Sequence, residues 1–238
     1  TQNVIQACRA HGVHYLVNTS SPSVIFDGCD QEGYDETTPY PEKYLAHYPH
    51  TKAIAERLVM EANDKDLSTV SLRPHLIWGP EDTQLIPRLL EQGKAGKLRF
   101  VGCGTKKIDA LYIDNAVEAH IVAATQLMHG SGCAGKTYFI TNDEPWPFEK
   151  ILNGILKAAG VAPVSKHVSP SLAYGVGALM EWGYRIMGKK EEPRMTRFVA
   201  RQLATAHWYD IGAAKKDLGY TPLVSMDEGF ERLTAWFA

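Results

Sequence analysis

The sequence predicts an α/β fold whose sheet is largely parallel, and three observations carry that reading. Apolar runs of strand length alternate with segments of helical periodicity from the start of the chain to about residue 160. A helix that passes at once into an apolar strand near residue 14 is half of a βαβ unit. The strand at 69–72 runs straight into Arg73-Pro74, where a residue without an N–H ends the ladder and leaves the chain at a sheet rim. Beyond about residue 160 the alternation is lost, and a small, mostly helical C-terminal lobe is predicted.

Taken in order, residues 1–8 read as the middle of an amphipathic helix with Val4, Ile5 and Cys8 on one face, ending at Gly12. A chain that opens in mid-helix, on Thr1, reads as a fragment. Residues 14–19 form a short buried strand. The polar stretch 27–41, with Gly28, Gly33 and Pro39, is expected as a surface loop. A helix follows over 48–63, where Pro49 is tolerated in the first turn.

After the strand at 69–72, a helix is expected over 83–92, strands over 98–101 and 108–113, and a helix from an Asp114 N-cap to Met128. Residues 136–141 read as another buried strand. The helix over 147–160 carries a stripe of Phe148, Ile151, Leu152, Ile155 and Leu156. Lys189, Lys190, Glu191 and Glu192 mark a solvated loop. The domain reading is a ligand-binding unit over 1–146, holding lobe segments within 80–108, and a substrate lobe over 147–238.

Composition narrows the function. The chain has 238 residues, 45% hydrophobic and 22% charged, with a formal net charge of −2. A near-neutral balance with scattered Lys and Arg gives no electrostatic case for nucleic acid. The four cysteines, Cys8, Cys29, Cys103 and Cys133, form no C-x-x-C pair, which points away from zinc and from a disulfide framework. No signal-peptide pattern and no run of about 18 apolar residues occurs, so a cytoplasmic setting is expected.

The chemistry centres on 15–52. Tyr15-Leu16-Val17 ends in Asn18-Thr19-Ser20-Ser21, and after the loop come Tyr48-Pro49-His50-Thr51-Lys52. Tyr48 and Lys52 are four apart and share a helix face, where an ammonium favours the phenolate and moves a phenol, near ~10 by itself, toward working pH. Ser21, at the strand's carboxyl end, sits where open α/β sheets bind ligands and can hold a substrate oxygen.

Other motifs compete less well. Gly130-Ser131-Gly132-Cys133-Ala134-Gly135-Lys136-Thr137 spells the phosphate-loop pattern, but a helix precedes it and a strand follows, the reverse of what phosphate cradling needs. His11 with His14 and His47 with His50 lack a third ligand at recognisable spacing, so no metal is expected. His50 and His75 can face the site. The amphipathic stretch 172–187 reads as a core-facing or dimer helix, with a lid or peripheral membrane contact as the functional alternative. Arg194 and Arg197 offer guanidinium groups to a substrate carboxylate.

The set of Thr19-Ser20-Ser21, Tyr48 with Lys52, Arg73-Pro74, Trp78-Gly79-Pro80, Tyr209-Asp210 and Leu218-Gly219-Tyr220 resembles the extended short-chain dehydrogenases, within them the 3β-hydroxysteroid dehydrogenase group. The resemblance covers nearly the whole chain. It implies a Rossmann-like doubly wound parallel sheet whose N-terminal half, with its glycine-rich turn, is missing here, roughly 90 residues by the size of a mononucleotide half.

It implies an enzyme that interconverts a 3-oxo and a 3-hydroxy group on a lipidic acid or sterol. Ser21, Tyr48 and Lys52 would be catalytic; Thr19, Ser20, Tyr48, Lys52, Pro74, His75, Leu76 and Ile77 would meet the cofactor. Ser21, Pro22, His50, Arg194 and Arg197 would meet substrate. NAD and NADP are not distinguished by the residues, and the resemblance leans to NADP. It also implies a homodimer. A sugar-nucleotide epimerase or dehydratase shares the same three catalytic residues, and a noncatalytic lipid-binding fragment is the alternative from another class.

Overall fold

A computed structural model describes residues 1–189, 191 and 193–238; Lys190 and Glu192 of the expected solvated loop lie outside the described residues. The chain opens with α1 (Gln2–Ala10) and β1 (Tyr15–Thr19), makes a 3₁₀ turn at Pro22–Ile25, and continues through β2 (Gln31–Tyr34), α2 (His47–Glu61), β3 (Ser68–Pro74) and β4 (Ile77–Trp78). Next come α3 (Leu85–Lys94), β5 (Phe100–Val101), β6 (Lys107–Ile108), β7 (Leu111–Tyr112) and α4 (Ile113–Met128). Then follow β8 (Lys136–Ile140), β9 (Trp146–Pro147), α5 (Phe148–Ala158), β10 (His167–Val168) and α6 (Pro170–Ile186). The chain closes with α7 (Arg197–Ala204), β11 (His207–Tyr209), α8 (Gly212–Leu218) and α9 (Met226–Phe237).

The main sheet is parallel, in the order β1-β3-β8. Its centre, β3, alternates cleanly. Thr69 and Arg73 reach α2, where the Thr69 hydroxyl donates to the Val59 carbonyl at 2.8 Å. Val70 and Leu72 enter a core shared with Ala116, Ala119 and Ala123 of α4. The expected end of the ladder holds: Pro74 is the last residue of β3, opposite Ile140.

Two strands depart from the sequence reading. β1 is half-exposed rather than buried, with Tyr15 44% exposed, because it pairs with β3 on one edge and with no other strand among the described residues. The polar stretch 27–41 contains β2 instead of being all surface loop. Gln31 is fully buried there, its amide donating to the Ile25 carbonyl and accepting from the Tyr209 hydroxyl, both at 2.9 Å. β2 pairs in parallel with β11, so strand structure returns late in the chain, within a sheet ordered β2-β11-β6-β9.

Helix boundaries fall close to expectation, with one difference in capping. Tyr112, not Asp114, is the N-cap of α4; Asp114 lies in the first turn, where a negative charge suits the helix dipole, and pairs with Arg232 at 2.8 Å. A second core joins α3, α5 and α9, with Trp78 against Phe230 at 4.6 Å between ring centroids. α6 turns Ala173 and Gly177 inward and presents Leu172, Val176, Leu179, Trp182 and Ile186 outward, 43–67% exposed, so the core-facing expectation for this helix is not met. None of the described helices is long and apolar enough to cross a membrane.

The tie between α2 and the sheet is ionic. Glu56 and Arg73 are both buried, the guanidinium Nη2 lying 2.7 Å from Oε1 and Nε 3.0 Å from Oε2. The Tyr40 hydroxyl donates to the same carboxylate at 2.5 Å, and burial followed by that carboxylate pushes Tyr40 up to about 12. Removing one partner strands the other charge away from water. Glu56→Ala is therefore expected to lower stability by about 3–5 kcal/mol in urea denaturation; a loss under about 1 kcal/mol would mean that water reaches Arg73.

Candidate active site

The site begins where three parallel strands end. The Ser20 N–H donates to the Leu72 carbonyl at 2.6 Å and the His75 N–H to that of Ile140 at 3.2 Å, so the ends of β1, β3 and β8 lie side by side. Ser21 then caps the 3₁₀ turn, its Oγ accepting from the Ser23 N–H at 3.2 Å and from the Ser23 hydroxyl at 2.9 Å. With both lone pairs used, the Ser21 proton is free to donate to an oxygen placed before it.

α2 supplies the phenol and the ammonium. Tyr48 is 51% exposed in the first turn. One turn later the Lys52 ammonium donates to the Thr19 carbonyl at 2.8 Å, anchoring the helix to the end of β1 and leaving two N–H donors open. Thr19 in turn meets Nε2 of His120 through its hydroxyl at 2.8 Å, while His120 Nδ1 donates to the Ala116 carbonyl. The Ser20 hydroxyl is buried and has no partner among the described residues.

A cavity of about 90 Å³ opens beside Ser21, lined also by Pro22, Phe26, His75, Gln202 and His207. Pro74 and Leu76 complete the near wall; Leu76 carries φ +33°, a strained value for a leucine. His75 Nδ1 lies 2.6 Å from the Asp109 carbonyl, which only accepts, so Nδ1 carries the proton and Nε2 of the neutral ring is an acceptor. Burial holds His75 down to about 4. Burial and then the neighbouring His75 hold His207 down to about 3. Asp109 is pushed the other way, up to about 7, by burial and by Asp143.

Among the residues expected from sequence, Ser21, Pro22, Pro74, His75 and Leu76 meet at this cavity, and Lys52 is joined to its edge through Thr19. Ile77 begins β4, partly exposed. His50 stacks on Tyr44 with centroids 5.0 Å apart. Arg197 is committed to Glu181, donating from Nε and from its backbone N–H at 2.7 Å each, and Arg194 is exposed; neither lines the cavity. Sequence reasoning missed Phe26, which the 3₁₀ turn after Ser21 brings in, and Gln202 and His207, which arrive from distant segments with no local spacing to mark them.

Residues that could hold the nicotinamide end of a dinucleotide are Lys52, with donors left open, and Ser20, with an unpartnered hydroxyl, both at the strand ends where open sheets bind ligands. The glycine run at 130–137 offers no phosphate cradle, since it links α4 to β8 and Lys136 is tied to Asp217 at 2.8 Å.

The two cavity histidines, His207 buried and His75 half-buried, set a pH dependence. Unfolded, they titrate near ~6.5; folded, near 4 and 3. Their contribution to stability is full above ~6.5 and is lost as pH falls toward 4. Asp109 opposes them, contributing most below ~3.9 and losing that as pH rises through about 7. His75→Asn, which keeps a donor for the Asp109 carbonyl, is expected to lose less Tm between pH 6.5 and 5 than the wild type. Equal losses would show that His75 gains its proton at no cost.

The profile of the 3-beta hydroxysteroid dehydrogenase/isomerase family matches residues 1–170. The chain is 51% identical to the 2-alkyl-3-oxoalkanoate reductase of Shewanella oneidensis, over 98% of this chain and 62% of that protein. It is 50% identical to the reductase of the same name from Stenotrophomonas maltophilia, over 99% and 72%. With the human sterol-4-alpha-carboxylate 3-dehydrogenase, decarboxylating, identity is 39% over 100% of this chain and 65% of that one. The chain thus spans less than two thirds of the Shewanella and human proteins.

Among solved structures, gox2253 superposes with a TM-score of 0.75 at 26% identity, over 99% of this chain and 69% of that one. UDP-glucuronic acid 4-epimerase from Bacillus cereus, in complex with NAD, gives 0.69 at 20% over 100% and 67%, a likeness of fold alone. Together with the parallel β1-β3-β8 sheet, these place the chain in a Rossmann-like α/β fold. It belongs to the 3-beta hydroxysteroid dehydrogenase/isomerase family.

Proposed function

We propose that the protein holding this chain is an NAD(P)-dependent oxidoreductase that interconverts a 3-oxo and a 3-hydroxy group on a lipidic substrate, a 2-alkyl-3-oxo acid or a 3β-hydroxysterol. The observation that carries the reading is the bond of the Lys52 ammonium to the Thr19 carbonyl at the end of β1, two residues before Ser21, with Tyr48 one turn before Lys52 on the same helix. The names of the relatives support the substrate class.

In the reductive direction Ser21 donates a hydrogen bond to the substrate carbonyl and holds it before Tyr48. Tyr48 gives its phenolic proton to the oxygen as it becomes an alkoxide. Lys52, fixed by the Thr19 carbonyl, stabilises the phenolate left behind and offers its open donors to a ribose. The nicotinamide, when bound, supplies or accepts the hydride at carbon. Ser20 is the further donor available at that edge.

The finer parts of the reading are a homodimer, a cytoplasmic setting, NADP rather than NAD, and contact with a lipid surface. The exposed Val117 and Ile121 of α4 support a second copy, the free thiols support a reducing compartment, and the outward apolar row of α6 supports the lipid contact. The NADP preference rests on resemblance, and NADPH and NADH fluorescence titrations decide it.

Tyr48→Phe in the intact protein is expected to lower kcat/KM by about 10²–10⁴-fold while NADPH and NADH fluorescence titrations stay unchanged. Retained turnover would remove Tyr48 from the proton transfer and the reading with it.

A further inference from the structure

The two histidines of the Ser21 cavity have their protons assigned by their partners. The Thr205 hydroxyl donates its one proton to the Arg201 carbonyl at 2.9 Å, so toward His207 it can only accept. Nε2 of His207, 2.7 Å from that hydroxyl, therefore carries the ring proton, and Nδ1 is bare. His75 is the opposite tautomer: its Nδ1 proton faces the Asp109 carbonyl, and Nε2 is bare. Burial keeps both rings neutral, so neither bare nitrogen gains a proton near neutral pH.

No described residue donates to either bare nitrogen. Neither is among the side-chain nitrogens sealed in the interior without a partner, so each reaches open space, and the space that both rings line is this cavity. Their centroids are 5.9 Å apart, and His207 is only 3% exposed. Ser21 brings a donor to the same cavity, and the Gln202 amide can give or take a proton. A volume of about 90 Å³ is that of about three waters in the liquid, room for one small polar group.

We propose that His207, with His75, sets the preference of this site for the hydroxy over the oxo member of the substrate pair. A carbonyl oxygen accepts from Ser21 but meets the histidines lone pair against lone pair. A hydroxyl accepts from Ser21 and gives its proton to one of them. A buried acceptor left unmet weakens the complex, so the oxo form is held less tightly. A carboxylate, which only accepts, is turned away from this cavity altogether. The inference rests on the proposed reaction in one respect, that the oxygen held by Ser21 is the reacting one; in the reductive direction the product is then the tighter ligand. Proton transfer stays with Tyr48, and the histidines decide which form is held.

The test uses isopropanol and acetone, alike in shape and different in their proton, titrated into the intact protein without cofactor and followed by nitrogen NMR of the histidine rings. Isopropanol is expected to bind about fivefold more tightly and to move the His207 Nδ1 resonance, which acetone leaves in place. His207→Gln keeps a donor for Thr205 but has carbon where Nδ1 was, and is expected to lose the preference; His207→Asn keeps an acceptor there, gives up the Thr205 bond, and is expected to retain it. A purely structural histidine predicts the reverse order. Acetone binding as tightly as isopropanol, no isopropanol binding, or an undiminished preference in His207→Gln overturns the proposal. Should the variants fail to fold, the wild-type Nδ1 shift decides alone. No step of the test requires turnover, so a Tyr48→Phe protein that still turned over would remove the proposed reaction and leave this result standing.

Discussion

Glu56 and Arg73 are withdrawn from water together, and the geometry at the strand ends follows from keeping that pair closed. Each charge alone would cost several kcal/mol in the interior, so α2 cannot slide or turn against β3 without stranding one of them. Lys52 lies one turn before Glu56, and its grip on Thr19 fixes the other end of the same helix segment. Tyr48 inherits its place from these two anchors. Tyr40 extends the constraint to the preceding loop, since it bonds Glu56 while Arg57 lies 4.2 Å above its ring.

The cavity beside Ser21 is electrically quiet by comparison. His75 and His207 are both kept neutral, and Tyr209 stacks flat on Phe139 behind them, with centroids 4.4 Å apart. No Lys, Arg, Asp or Glu is among the described residues that line the cavity, and Lys52 lies at the side where the proposed proton transfer takes place. A wall that neither attracts nor repels ions suits an uncharged carbonyl, and it leaves no neighbouring anion to cancel the lysine's field.

How much of this was legible in the sequence depended on distance along the chain. Tyr48 and Lys52 were readable because helical spacing alone puts residues four apart on one face. β3 and β8 were readable because apolar strand runs need no partner to be recognised. β2 was not, because Gln31 looks like a loop residue until Tyr209, far along the chain, is seen to satisfy it. The half-exposure of β1 was equally hidden, since an apolar run does not say which strands flank it. Gln202 and His207 reach the cavity through tertiary folding, which leaves no periodic trace. Arg73 at the end of an apolar strand was the one available hint of a buried carboxylate partner.

The close approach of α6 to α7 at Gly177 has a mechanical meaning. A Cβ there would stand 2.7 Å from the Thr196 carbonyl carbon, nearer than real atoms come, so one hydrogen in place of a methyl sets the spacing of the two helices. Those same helices both contribute lining residues to a cleft of about 640 Å³ that also takes in Gly28, Asp30 and Lys106. An alanine at 177 would act as a shim, pushing the first turn of α7 away from α6 and shifting the residues that α7 brings to the cleft.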